Sequence, residues 1–329
     1  MPQPTIESYS RDHLAGMTDL YCRETAFEPH IAPLTPARFI ELVESKSYFD
    51  PAGLLVAREG GAVAGWVHAC VAPATESWQE AGKLAARIRM LIYPRDRLRV
   101  GAALMGAATE WLKAGGAREI EALHPGSGYP FYRGLWLGAE PMGPATMPHV
   151  QLALSSHGYQ LDFESVLMTA AMADLPPSAP PPPGLEVAEA PAEMAHEGMR
   201  ESWIGFSPME AAALIGGEEV GRVGWVLLPH VSEKLGAPCL SIWSLGVNLR
   251  HRRRGIGLFL VREAMRRGYA LGARHCSVGT QLWNAPAHAT YAAAGYRPHC
   301  LLVGRKLTLA AGSAPTPPPT PSAPPRTTT

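Results

Sequence analysis

The sequence predicts two tandem mixed α/β domains, each a mostly antiparallel sheet with helices on both faces. Three observations predict it. Strand-like and helix-like patterns follow one another in the same order in both halves. A proline-dense stretch, "LPPSAPPPPG" from Leu175 to Gly184, separates them as a stiff spacer. Two junctions also recur, which points to an internal duplication. "WLKAGGAREIEAL" (Trp111 to Leu123) is repeated in kind by "RRGYALGARHCSV" (Arg266 to Val278), and "LSSHGYQ" (Leu154 to Gln160) by "YAAAGYR" (Tyr291 to Arg297). In each junction a helix stops at a glycine and a strand follows. The expected boundaries are a first domain at 1–174, a linker at 175–184, a second domain at 185–310 and a disordered Pro-rich tail at 311–329.

The first half reads as the strand "TIESYS", helices through Val43, the hairpin "AGLLVAREGGAVAGWVHACVA", then the helix and strand around Gly116. The loop His124 to Pro144 is rich in glycine, proline and aromatics and accounts for its extra length. Tyr129, Phe131, Tyr132 and Trp136 either cover their own sheet or shape a neighbouring site. The second half reads as the strand "LEVAEA", the helix "PAEMAHEGMRESWI" and the hairpin "AAALIGGEEVGRVGWVLLPHV". The strand "PCLSIWSLGVNL" follows, then a helix from Leu258 to Leu271, the strand "RHCSVGT", a short helix Ala285 to Ala294 and a last strand "YRPHCLLVGRKL". Leu258, Val261, Met265 and Leu271 fall on one face of the longer helix. Arg262, Arg266 and Arg267 lie elsewhere and are expected in solvent.

Formal net charge is zero, which argues against general nucleic-acid binding through a basic surface. Five scattered cysteines without a CxxC pair suggest reduced thiols, no disulfide framework and no metal site. No apolar run is long enough for a signal peptide core or a membrane span, so a cytoplasmic protein is expected.

Against that neutral background, "NLRHRRRGIGLFL" (Asn248 to Leu260) places Arg250, Arg252, Arg253 and Arg254 just before Gly255 and Gly257. A strong strand precedes the turn and a helix follows. Free N–H groups at a helix N-terminus carry partial positive charge, and glycines let a phosphate approach the backbone. The pattern is that of a phosphate cradle with arginines at its rim. No Gly-Lys-Ser/Thr follows, so it is not a Walker A loop, and no third glycine makes it a dinucleotide turn.

Downstream stands Asn284, Ala287, Tyr291, Gly295 and Tyr296, spaced N-x-x-A-x-x-x-Y-x-x-x-G-Y. With Arg252-Arg253-Arg254-Gly255-Ile256-Gly257, which matches R/Q-x-x-G-x-G/A, this segment resembles the GNAT superfamily of acetyltransferases. The resemblance covers most of Gly184 to Leu309. It implies that the fold is two tandem acyl-CoA N-acyltransferase domains and that acetyl-CoA is the co-substrate, with no metal. It also implies that the strand Ser241 to Val247 splays from the next, so that the pantetheine arm pairs with backbone near Leu245 and Val247. The Val247 N–H is the implied donor to the thioester carbonyl, Tyr291 the implied general acid toward the thiolate and Asn284 an implied pantetheine contact. Read from the residues alone, Tyr291 can pack on the last strand and Asn284 can cap its helix. No acidic residue lies on the strand Ser241 to Val247, so the general base is not evident; His230 and Glu218 in the preceding hairpin are candidates.

The first copy departs from the signature at "DRLRVGAALM" (Asp96 to Met105). Read in one register Val100 replaces the first glycine, and slid by one residue Arg99 does. Leu154 stands where Tyr291 stands, and leucine donates no proton. The expected function is acetyl transfer to a primary amine, on a small molecule or a peptide, by direct attack in the second domain of a monomer or homodimer. The alternative is a non-catalytic module that binds acetyl-CoA or a partner.

Overall fold

The computed structural model describes residues 3–73, 84–124, 131–136, 143–172, 180–193 and 197–309. The expected tail, Tyr129 and residues 175–179 of the expected linker lie outside them.

Twelve of its strands form one continuous path, in the order β1-β2-β3-β4-β5-β13-β7-β12-β11-β10-β9-β8, with the two-residue β6 pairing beside β13. The first half supplies β1 (Thr5–Ser8), β2 (Leu54–Glu59), β3 (Ala62–Pro73), β4 (Leu84–Ile92), β5 (Glu119–Ala122), β6 (Gly143–Pro144) and β7 (Gln160–Ala171). The second supplies β8 (Leu185–Pro191), β9 (Met209–Ile215), β10 (Glu218–Leu228), β11 (Cys239–Val247), β12 (His275–Gln281) and β13 (Arg297–Thr308). Pairing is antiparallel except for β4 with β5 and β11 with β12. Those two pairs are joined through helices, as parallel neighbours require.

The final strand of each half lies against the other half. β13 runs from Lys306↔Gln160 to Arg297↔Thr169 along β7 and also pairs with β5. β7 in turn pairs with β12 from Gln281↔Ser165 to His275↔Ala171. Each half therefore completes its sheet with a strand that the other lends.

Helices cover both faces, as the alternation of apolar residues demands. In the first half α1 (Leu14–Glu24) and α3 (Leu98–Ala114) take opposite faces of β3. The Trp66 indole donates to Met17 O on one side, and on the other Gly65 leaves room for Val100 and Leu104. Between them α2 (Pro36–Phe39) starts at Thr35, whose hydroxyl accepts from Arg38 N, and runs on into a π turn. α4 (Pro148–Ser156) precedes β7.

In the second half α5 (Glu197–Ser202) and α6 (Ser232–Leu235) are short. α7 (Ile256–Ala270) packs on Leu240, whose side chain sits where a Cβ on Gly268 would be. α8 (Ala285–Ala293) follows β12. One core joins the first-half helices and sheet to Trp203, Val226, Leu228 and Val231 of the second half. A second core lies under α7 and takes in Met168 of β7 and Met172 just after it.

The duplication shows in hydrogen bonds. Ala117 N bonds Leu112 O as Ala273 N bonds Gly268 O, and Tyr159 N bonds Leu154 O as Tyr296 N bonds Tyr291 O. Gly116, Gly158, Gly272 and Gly295 all have φ between 85° and 98°, a region closed to most side chains. Two expectations about α7 are corrected. Leu271 ends the helix and is 62% exposed, so the apolar face is completed by Ile256 and Leu260 instead. Arg266 is exposed as expected, Arg262 and Arg267 are half-buried, and all three have partners. Arg262 donates to Ala293 O of α8, while Arg266 and Arg267 grip the buried Glu263, and Arg267 also pairs with Glu189.

Candidate active site

β11 and β12 pair only from Cys239↔His275 to Ile242↔Val278. Beyond Ile242 the two strands part, and Trp243 to Val247 keep β10 as their only strand neighbour among the described residues. The orientation of the freed backbone follows from alternation along a strand. Asn248 N donates to Val220 O on the β10 side, so the N–H groups of Val247 and Leu245 face the gap. The Val247 carbonyl on that same side accepts from Arg252 Nε at 3.0 Å.

The gap leads to the N-terminus of α7. Gly255 precedes the helix with φ of 80°, and Arg253 also has positive φ, 65°. A non-glycine residue held there is uncommon, and here it turns the chain sharply into the helix. Nothing lies within 4 Å of where a Cβ on Gly255 would be, and a Cβ on Gly257 would meet only Val247 Cγ2 and Thr290 Cγ2, at 3.6 and 3.8 Å. The first N–H groups of α7 have no partner inside the helix. Arg252, Arg253 and Arg254 are exposed around them, and Ile256 is buried as the anchor of the first turn. The residues fit an anionic, phosphate-bearing ligand that runs from the gap over this turn.

Tyr291 projects from α8 into the core beneath α7, 5% exposed, with its ring 5.7 Å from that of Tyr296. Burial raises its phenol to about 12, so it is protonated at neutral pH. Its Oη has no hydrogen-bond partner among the described residues. Asn284 caps α8 by accepting from Ala287 N at 3.3 Å. Both packing and capping, the plainer readings of these residues, are therefore present.

Of the two candidate bases, Glu218 is exposed at the start of β10. His230 stands at the far end of a row of rings. Its neighbour is Phe206 at 5.6 Å, then Trp203 at 6.1 Å from Phe206, then Trp243 at 6.1 Å from Trp203. Burial, reinforced by Arg38, lowers the His230 pKa, so the ring is neutral at pH 7.

The same region of the first half is closed. Counted back from the shared helix stop, Arg99 stands at the place of Gly255 and Gly101 at that of Gly257, the second of the two registers, although α3 begins two residues earlier, with Arg97 as its cap. A Cβ on Gly101 would collide with the ring of Tyr93. That ring is fully buried, and its hydroxyl donates to His149 O on α4. Tyr93 thus bridges α3 and α4 across the space that stands open between α7 and α8. Val247, its counterpart, is too short to do so. The sequence carried a signal for this plug. The segment from Tyr93 to Gly101 is two residues shorter than that from Val247 to Gly257.

Phe131, Tyr132 and Trp136 are buried in the first-half core. The residues between them reach across: the Arg133 guanidinium lies 4.1 Å over the Trp203 ring, and Gly134 abuts Phe206. Sequence reading did not single out Arg133, Trp203 or Phe206, because their association spans the two halves.

Residues 172–296 match the sequence model of the acetyltransferase (GNAT) family. No curated protein gives a significant match to the chain. Among solved structures, the chain is similar to a tandem GNAT protein from the clavulanic acid biosynthesis pathway, with a TM-score of 0.66 at 16% identity over 94% of this chain and 100% of that one. It is also similar to a GCN5-related N-acetyltransferase from Sphaerobacter thermophilus, with a TM-score of 0.62 at 15% identity over 94% and 97% of the two chains. Similarity at these identities speaks to fold. Residues 172–296 therefore match a GNAT acetyltransferase domain, and the chain has the fold of a tandem GNAT protein.

Proposed function

We propose that the chain is an acetyl-CoA-dependent N-acetyltransferase in which the second half, 185–310, performs the reaction and the first, 1–174, is a degenerate copy. The observation that carries this reading is the opened gap beside Trp243 to Val247, continuous with the glycine turn at α7. Gly255, Ile256 and Gly257 would present backbone N–H groups to the pyrophosphate, with Arg252, Arg253 and Arg254 offering charge to the outer phosphates. Leu245 and Val247 would pair with the pantetheine arm, near the backbone of Asn284.

The amine nitrogen attacks the thioester carbonyl carbon, and the negative charge that grows on the carbonyl oxygen is met by the Val247 N–H. The carbon–sulfur bond then breaks and the electron pair leaves on sulfur. Tyr291 donates a hydrogen bond to that sulfur. A thiol of pKa ~8.5 is a stronger acid than a phenol at about 12. Full proton transfer from Tyr291 is therefore uphill, and its contribution is stabilisation of the departing thiolate. The amine's proton passes to water or to a base on the acceptor side. The reaction needs no metal.

We further propose a primary amine as acceptor, on a small molecule or a peptide, and no nucleic-acid or membrane partner. A cytoplasmic monomer or homodimer suits this chemistry. Among the described residues no helix is long and apolar enough to cross a membrane. Release of free thiol from acetyl-CoA, measured with a panel of primary amines, tests the proposal. Amine-dependent release supports it, and binding of acetyl-CoA without release by any amine favours a binding module.

A further inference from the structure

We propose that the acceptor site lies at the junction of the two halves, on the face of β11 opposite α7. It would take a small amine that also carries a carboxylate, held by the indole N–H groups of Trp203 and Trp243. The inference rests on the acetyltransferase reading above and specifies its second substrate.

Trp243 follows Ile242, the last residue of β11 paired to β12, and precedes Leu245 by two positions. It lies in the bulge where the β10–β11 register shifts, opposite Gly224, whose missing Cβ leaves room for the indole. Leu240 and Ile242 belong to the core beneath α7, whereas Trp243 packs against the core shared with the first half. Its side chain therefore emerges on the acceptor side, at the vertex of the gap.

The Trp203 ring lies 6.1 Å from the Trp243 ring. Both Nε1 atoms are buried and neither has a hydrogen-bond partner among the described residues. Trp203 as a whole is 5% exposed. A buried donor left unsatisfied costs about 1–3 kcal/mol, and native proteins keep few of them. An indole nitrogen only donates, so the absent partner is an acceptor.

The Arg133 guanidinium lies over the Trp203 ring, and the buried Lys46 ammonium donates to the backbone carbonyl of Glu201, with the Glu201 and Glu41 carboxylates near it. The nearby Glu201 carboxylate is already held by the Ser47 N–H. A carboxylate has two oxygens for two N–H donors. Four residues of strand separate Trp243 from Val247, about 13 Å, so the carboxylate would lie at the end of the acceptor away from the reacting amine. In this arrangement the degenerate half contributes Arg133 and so part of the specificity.

The test uses the full chain and paired probes that differ by one carboxylate: lysine against cadaverine, ornithine against putrescine, and phenylalanine against phenethylamine. Thiol release gives KM and kcat for each, and titration calorimetry in the presence of coenzyme A gives binding. At least one carboxylated probe should have a tenfold or greater advantage over its partner, carried mainly by KM. Trp203→Phe and Trp243→Phe keep a ring and lose the N–H. Each should bring the pair close to parity while KM for acetyl-CoA stays the same. Near-UV circular dichroism and a melting curve confirm that each variant is folded.

Turnover without preference for the carboxylated member overturns the inference, as does a preference that survives both substitutions. Failure of every probe to bind and to react also overturns it. Calorimetric binding of a carboxylated probe, weakened by Trp203→Phe but without thiol release, would uphold this site and refute the acetyl-transfer reading.

Discussion

Replacing Tyr291 by phenylalanine separates the chemistry of the site from its packing. The ring lies against Tyr296 and is 5% exposed, and the hydroxyl has no partner among the described residues. Tyr291→Phe should therefore keep the core intact and break no internal hydrogen bond. A stability change within about 0.5 kcal/mol is expected, which in a chain of this size moves the melting temperature by no more than about 2 °C. Binding of acetyl-CoA should also hold, because the glycine turn and the backbone of β11 are untouched.

The loss falls on the chemical step. With burial holding the phenol at about 12, Tyr291 would act in the proposed reaction as a hydrogen-bond donor to the developing thiolate. A hydrogen bond to a charged group contributes about 1.5–3 kcal/mol, so kcat should fall roughly 10- to 150-fold. That lies at or below the lower end of the usual effect of a complete general acid. Single-turnover measurement of thiol release with saturating acetyl-CoA reads the step directly. A variant with full kcat would show that Tyr291 only packs, and a variant that melts many degrees lower would show that its hydroxyl supports the fold.

Two other outcomes follow from the fold. Burial lowers His30 to about 4, with help from His299 and His275; it lowers His68 to about 3, with help from Arg89; and it lowers His149 to about 4, with help from Arg95. The folded protein keeps these rings neutral while the unfolded chain takes up protons below about pH 6.5. The stability is thus complete above that pH and declines as pH falls toward 4, by up to about 1.4 kcal/mol per pH unit for each histidine. Urea unfolding at several pH values should show the midpoint dropping steeply below pH 6.5, and a flat profile would contradict these assignments. The exchanged final strands give the second outcome. A chain cut within the proline-dense segment should stay together on size exclusion, since β13 is inserted between β5 and β7. Two separately folded halves would refute that topology.

Much of the second half was legible in its sequence. The Gly255–Gly257 turn, the strand before it and the helix after it follow from local rules, because glycine conformation and helix starts are set by near neighbours. The repeat was legible because Gly116 and Gly272, and Gly158 and Gly295, each satisfy the same stop. The strand exchange was not. β7 and β13 have the same apolar pattern whether they pair within a half or across, and nothing local to either specifies its partner. The ring row from Trp243 to His230 and the Arg133 contact escaped for the same reason: Phe206 and His230, Trp203 and Trp243, and Arg133 and Trp203 are about 24, 40 and 70 positions apart. Tyr93 lay between. Its role as a plug depends on a two-residue shortening visible only when the halves are compared position by position.

In the proposed function acetyl-CoA enters the open gap of the second half, while Tyr93 fills the matching space in the first. Titration calorimetry of the full chain with acetyl-CoA tests it most directly, on the wild type and on Gly257→Glu, which puts a side chain and a negative charge into the turn at α7. The expected result is one molecule bound per chain by the wild type and severe loss of affinity in the variant, with the melting curve of the ligand-free protein retained. Two molecules per chain, or unchanged affinity and stoichiometry in Gly257→Glu, would contradict it.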